Sequence, residues 1–494
     1  MRDQQPDVQP SIGIERAFSG SAAAPRCAAC AFVLSALCVA ALPGCATVPP
    51  RTPIDPAGLE RGHAARRLPE YAPPLAATSA PWSRAQWLNA ALSGNAELAE
   101  VRARAWLAVA HEHSAAERPN PTLSLFGQYV TAAAGGAAWL YGLSLDFLWP
   151  RAGERARLRE AAALQTEAAQ ADVAEAIWQV RTALRQALLD VVASRDEAAL
   201  LGALLVERQA QVGSAEAQAR AGEIAEPEAE PARLALASVQ QRAQQAQARG
   251  ADAQARLAAA LGVPLAALDG VAPQWPGWSD LNALALTATA SWREDALVAR
   301  PELVRALREY DLAEIALQDE YARRRPEIHL TPGLAWDRGG VHENQFNENL
   351  HDNELGVVLE APLFNRHQGP IGEARARRAE AARHVESVQA QLREQLDRAE
   401  RAWPLARQAW VAADTAAAAT ARQSHAAEHA LSVGAADRST VTQSRAAALE
   451  ARLSALQAAY EAQQALAALE AAYRRPLEGS ECELPLTWRA GSRL

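Results

Sequence analysis

The sequence predicts a mainly α-helical chain with a small transmembrane β part, and three observations carry that prediction. The first is a change of period within residues 355–379. Leu355, Val357, Leu359, Ala361 and Leu363 alternate with Gly356, Val358 and Glu360, which is the period of a strand. After Asn365-Arg-His-Gln-Gly-Pro370 the chain becomes rich in Ala and Arg and reads as helix, with Pro370 expected at the first helical position. The second observation is that this junction recurs. Residues 139–149 alternate in the same way and pass through Pro150-Arg-Ala-Gly153 into a helix. Gly142, Leu145 and Asp146 match Gly356, Leu359 and Glu360 at a constant offset of 214. The third is a helical pattern from 154 to 221 without a proline, a rod of about 100 Å at ~1.5 Å per residue.

Composition agrees. Over 494 residues, Ala, Glu, Arg and Gln dominate and aromatics make up only 5%, which suits extended helices better than a compact core. The net charge of -9 argues against general nucleic-acid binding, which needs a basic face. All basic side chains other than His are Arg.

Cys27, Cys30 and Cys38 lie in or beside an apolar run from 28 to 42 preceded by Arg26. That run is too short to span a membrane and reads as a secretory signal occupying 1–44. It ends in Leu42-Pro-Gly-Cys45, which resembles a bacterial lipobox, so Cys45 is expected to carry diacylglycerol and acyl groups. No other cofactor is expected. Ala46 resembles the sorting signal for the outer membrane. The mature chain would keep Cys45 and a solitary Cys482, and the Cys27-x-x-Cys30 spacing would leave with the signal.

Residues 45–82, rich in Pro and Ala, read as an extended tether. A first repeat follows over 83–278. A helix runs from Ser83, a good N-cap, to 117, and Asn120-Pro121 stops it. Strands over 122–131 and 139–149 flank a Gly135-Gly136 connector, and a helical hairpin over 154–261 turns at Gly222-Glu223-Ile-Ala-Glu226. A second repeat occupies 279–476, with strands over 327–336 and 355–363 and a hairpin over 370–473 turning at Gly434. Asn95 to Pro121 matches Arg300 to Pro326 at an offset of 205, and Gly222 and Arg233 match Gly434 and Arg445 at an offset of 212. The tail, 477–494, is uninformative.

Strands of about ten residues cross a bilayer at a tilt. Trp139, Tyr141, Leu143, Leu145, Phe147 and Trp149 form an outward face with aromatics at its ends, as interfacial girdles require. Four strands cannot close a barrel alone, and an open edge in hydrocarbon leaves backbone groups unpaired. The chain is therefore expected to oligomerise, two copies giving eight strands and three giving twelve. Ala-rich helices leaving one side of the barrel would pack as coiled coils into a tube.

These duplicated motifs resemble the TolC-like outer-membrane factors of tripartite efflux and type I secretion, over about 83–476. The carriers are Asn95-Ala-Glu-Leu98 and Arg300-Pro-Glu-Leu303, Pro121 and Pro326, the two strand-to-helix junctions and the two tips. The resemblance implies a homotrimer with a twelve-stranded β-barrel and a helical periplasmic tunnel. It also implies a periplasmic adaptor and an inner-membrane pump, of RND type, as partners. Pro362-Leu-Phe-Asn-Arg-His-Gln-Gly369 looks most like the CzcC-like branch serving heavy-metal cation efflux. Drug efflux and type I protein secretion remain alternatives of the same fold. In the family's aspartate-ring pattern the second tip carries Asp where this chain has Thr440 and Gln443, so Gly222, Glu223, Glu226, Gly434, Asp437 and Arg438 become the candidates for tip and adaptor contact, with Glu228 and Glu230 nearby.

Asp146 and Glu360 fall on the non-lipid face, where a charge is tolerated only toward a wet lumen. In a trimer they would form an acidic ring favouring cations. His425-Ala-Ala-Glu428-His429 has the H-x-x-E-H spacing of a zinc peptidase. An Ala-rich coiled coil supplies neither a third ligand nor a cleft, so it reads as a solvated helix face and no enzyme is expected. His342, Glu343, Glu348, His351, Asp352 and Glu354 make the outer connector polar. A structural periplasmic lipoprotein would explain the helices but not four girdled strands. A membrane-fusion adaptor would show one hairpin, not two.

Overall fold

In a computed structural model, residues 51–68, 82–130, 138–282, 290–338 and 350–478 are described. The proposed signal, Cys45 and Cys482 lie outside them, as do His342, Glu343 and Glu348. Residues 1–61 and 62–494 are separate compact units. The expected tether is not extended throughout, because helix α1 (Pro56–Ala65) interrupts it. Asp55 accepts the Ala57 N–H at 3.0 Å and pairs with Arg61 at 3.1 Å, and Pro56 opens the helix. An Asx cap before an N1 proline is a helix start. In the larger unit Arg66 donates to the Gly262 carbonyl at 2.8 Å and Leu68 is buried.

The single helix expected over 83–117 is two, α2 (Arg84–Gly94) and α3 (Ala96–Ser114). Ser83 forms a capping box with Gln86, as its sequence position suggests. Asn95, extended at ψ 120°, breaks the run because its side chain accepts the Leu98 N–H at 2.9 Å and starts a new helix. The second repeat has the same break, α6 (Ala290–Val298) and α7 (Pro301–Ala322).

Strands β1 (Thr122–Val130), β2 (Ala138–Trp149), β3 (Glu327–Arg338) and β4 (Leu350–Glu360) form one antiparallel sheet in sequence order. The strand expected at 355–363 therefore starts earlier and stops at Glu360. Pro362 has no N–H to offer a ladder, and the Leu363 N–H turns back to the Ala361 carbonyl at 2.9 Å. Pro332 leaves a gap in the β2–β3 ladder, which pairs Ser144 with Gly333 and resumes at Phe147 with Leu330. The duplicated glycines have a steric reason. A Cβ on Gly142 would lie 2.7 Å from the Phe126 ring, and one on Gly356 would lie 2.2 Å from the Thr331 hydroxyl.

Each hairpin of strands feeds a long helix, α4 (Glu154–Ala221) and α8 (Gln368–Ser432). The helix expected from Pro370 begins two residues earlier, so Pro370 is the third helical residue. It is tolerated there because first-turn N–H groups have no intrahelical partner. The residues before the two helices correspond at the offset of 214, and both are left-handed: Gly153 at φ 77° and His367 at φ 57°. Return helices α5 (Glu230–Leu261) and α9 (Arg438–Tyr473) complete the hairpins. α4 packs against α3, α5, α7 and α9, while α8 packs against α7 and α9. Leu189, Leu257 and Leu466 are fully buried where α4, α5 and α9 meet. Toward the tips the buried positions include Ala246 and Ala446, which let the helices approach closely.

Candidate functional site

The sheet presents two unlike faces. Leu123, Leu125, Tyr141, Phe147, Trp149, Leu334, Leu355, Val357 and Leu359 lie on one face, and all are exposed in the single chain. Tyr141 and Trp336 stack there at 5.8 Å. An apolar face this broad, carried by about ten-residue strands, suits hydrocarbon. The other face carries Ser124, Ser144, Asp146, Glu327, His329, Thr331, Glu354 and Glu360. Glu360 lies directly opposite Glu327, and its side chain is exposed.

The structure puts Asp146 and Glu360 on that face, and gives Asp146 a partner on β3. His329 Nδ1 lies 2.9 Å from Asp146 Oδ1 and 3.2 Å from Oδ2, joining β2 of the first repeat to β3 of the second. His329 Nε2 faces Glu327 Oε1 at 3.7 Å, and Arg151 donates to Glu327 Oε2 at 2.5 Å. The alternation of β3 put His329 on this face, and only the register of the sheet brings it to Asp146.

At the tips, Gly222 and Gly434 are left-handed at φ 77° and 75°. The following N–H groups, of Glu223 and Ala435, reach back to the Gln218 and Ala430 carbonyls, closing each helix in the same way. Glu226 opens a short 3-10 turn, Glu226–Ala229. Asp437 is the N-cap of α9, accepting the Thr440 N–H at 2.7 Å, and hydrogen bonds from Thr440 hold its carboxyl below the usual range. Arg438 is the first residue of that helix. Asp437 is thus committed to a cap.

The H-x-x-E-H motif resolves into a clamp. Arg445 donates to Glu428 at 2.6 Å, and Arg233 meets Glu216 at 3.0 Å; both residues of the pair are duplicated at the offset of 212. His425 lies 3.3 Å from Glu428. Among the described residues, no group of three or more His, Cys, Asp or Glu is arranged to hold a metal ion.

Two features lie beyond the sequence expectations. Arg181 and Arg185, both on α4, bind Glu470 of α9 at 2.9 and 3.2 Å, and all three are almost fully buried. The tail taken as uninformative adds to this cluster: Leu477 N–H donates to Glu470 at 2.7 Å, and Glu478 pairs with Arg84 and Arg185 at 2.9 and 3.0 Å. The second feature is a groove of about 590 Å³ among α4, α5 and α9. Arg242, Arg249 and Arg256 line it at seven-residue intervals, paired with Glu450, Glu197 and Asp190 at 3.0, 2.8 and 3.6 Å. That heptad spacing was the available signal. Tyr460, at the groove wall, is pushed up to about 12 by burial and by Asp190.

Residues 292–473 match the protein-family profile described as outer membrane efflux protein. No curated protein sequence matches. Among solved structures, the outer-membrane channel OprN is 19% identical, with a TM-score of 0.66 over 86% of this chain and 98% of its own. The outer membrane protein VceC of Vibrio cholerae is 17% identical, with a TM-score of 0.63 over 79% and 96%. The CmeC outer membrane channel of Campylobacter jejuni is 14% identical, with a TM-score of 0.62 over 86% and 93%. The fold is therefore the TolC-like one expected, shared with these outer-membrane channels.

Proposed function

We propose that this chain is the channel subunit of a tripartite efflux system, conducting substrate from an inner-membrane pump and a periplasmic adaptor across the outer membrane. The observation that carries the reading is the open four-stranded sheet, apolar on one face and carrying its charged side chains among Phe126, Leu148 and Val358 on the other, feeding helices of 65 and 68 residues. Its free edges β1 and β4 need partners, and three copies would close twelve strands around the polar face. Lipidation at Cys45 would anchor the chain in the outer membrane. The paired groove and the tips Gly222-Glu223-Glu226 and Gly434-Asp437-Arg438 offer helical surfaces to the adaptor, and an RND-type pump is the expected inner-membrane partner.

For the cargo, the octapeptide 362–369 favours divalent heavy-metal cations. The test is growth of a deletion strain, with and without the gene, on zinc, cobalt, copper and hydrophobic drugs. Metal sensitivity reversed by the gene supports cation efflux, and drug sensitivity alone replaces that cargo. Barrel insertion is tested separately: the Cys45→Ser protein should stay in the outer membrane and run as a trimer. Its loss from that membrane would leave a lipid-anchored coiled coil as the better reading.

A further inference from the structure

We propose that His329 sets the charge preference of the lumen wall, acting as a titratable counter-ion for Asp146. The inference rests on the conduit reading above. The groups facing His329 come from every neighbouring strand and the junction: Asp146 on β2, Glu327 on β3, Glu360 on β4, and Arg151 beyond β2. Leu148 and Val358 are its direct cross-strand neighbours, so no other ionisable group flanks it in register.

Asp146, Glu327 and Glu360 line this level of the wall, and Arg151 sits between Glu327 and Glu154 at 2.5 and 4.0 Å. Protonating the imidazole therefore removes one unit of negative charge per chain from this level of the wall. Imidazole is the side chain whose charge responds to pH near neutrality, in the range a periplasmic channel meets. In a narrow lumen with low-dielectric walls, that difference is focused onto passing ions rather than screened as on an open surface.

The duplication makes the assignment specific. At the offset of 205 that relates β1 to β3, His329 corresponds to Ser124 and Glu327 to Thr122. The first repeat thus supplies the carboxylate, and the second supplies both the imidazole and an extra carboxylate. A closed ring of three copies would alternate Asp146–His329 pairs with Glu327–Glu360 pairs, so the uniform ring of six acids expected from the sequence is replaced by two kinds of site.

The experiment is the reversal potential of the purified full-length protein in planar bilayers under a potassium chloride gradient, at about pH 5.5 and about pH 8. Wild type is expected to raise its cation-over-anion permeability ratio about twofold or more at the higher pH. His329→Gln should lose the step and hold the high-pH ratio throughout. Asp146→Asn should lower the ratio at both pH values. A pH step kept by His329→Gln, or absent from wild type, overturns the role of His329 while leaving the conduit intact. Wild-type protein that inserts but conducts nothing overturns the conduit reading, and this inference with it.

Discussion

At the tips, Arg233 and Arg445 each meet a glutamate seventeen positions earlier, and all four side chains are between one third and one half exposed. Roughly 50 Å from Glu216 along α4, at ~1.5 Å per residue, Arg181 and Arg185 meet Glu470 with almost no exposure. The residue types are the same and the distances are similar. Burial separates them: an exposed pair exchanges water for a partner at little gain, whereas a buried carboxylate that loses its partners strands charge in a poor solvent. The long helices are therefore fixed at one level and only lightly held at their tips. That arrangement suits an end that opens while the other end keeps its place.

The largest expected effect breaks the buried end. Glu470→Ala should destabilise the protein by about 3–5 kcal/mol, because the buried Arg181 loses the carboxylate of Glu470 and Arg185 keeps only that of Glu478. Thermal unfolding in detergent, followed by circular dichroism, measures this. A shift no larger than that of an exposed Glu→Ala control would show that water reaches the site.

A second contrast lies at the two strand-to-helix junctions. His367→Val should cost about 1–2 kcal/mol, since a β-branched residue fits the left-handed region poorly. His367→Gly should be near neutral, because the conformational relief offsets the lost contact with Glu320 at 3.2 Å. Equal losses for both variants would mean that the Glu320 contact, not the backbone, decides this position.

Smaller effects belong to the tips. Arg233→Ala and Arg445→Ala should leave the global melting temperature unchanged and raise amide hydrogen exchange only within the last turns of their own hairpins. Arg445→Ala should show the wider effect, because Arg445 also approaches Glu207 on α4 at 3.8 Å. The subtlest test is acidification. The hydrogen bond from Arg445 holds Glu428 below the usual carboxylate range. Its contribution is therefore complete above the ordinary carboxylate value and fades as the pH falls through the lowered one. Spin labels across the second tip should report loosening in that acid window, and Arg445→Ala should reduce the pH dependence to the share carried by the Asp437 cap. An unchanged acid response in the variant would assign the loosening to other groups.

Much of this was legible without coordinates. The strand period, the helix runs, the tip glycines and the duplication offsets are local or repeated signals, so they survive in the order of residues. The sequence also put Asp146, His329 and Glu360 on one face, because alternation alone determines the face. It could not pair them. Asp146 and His329 are 183 positions apart, Arg181 and Glu470 are 289 apart, and such meetings depend on sheet register and helix packing. Asp55, Asn95 and Asp437 mark the intermediate case: each had the residue type of a cap, but whether a cap forms depends on a backbone angle that neighbours share with the rest of the fold. The sequence by itself determined which elements exist and which faces they carry. The tertiary structure alone decided which charges meet, because a side chain's partner is set by distance in space, and burial then sets what the meeting is worth.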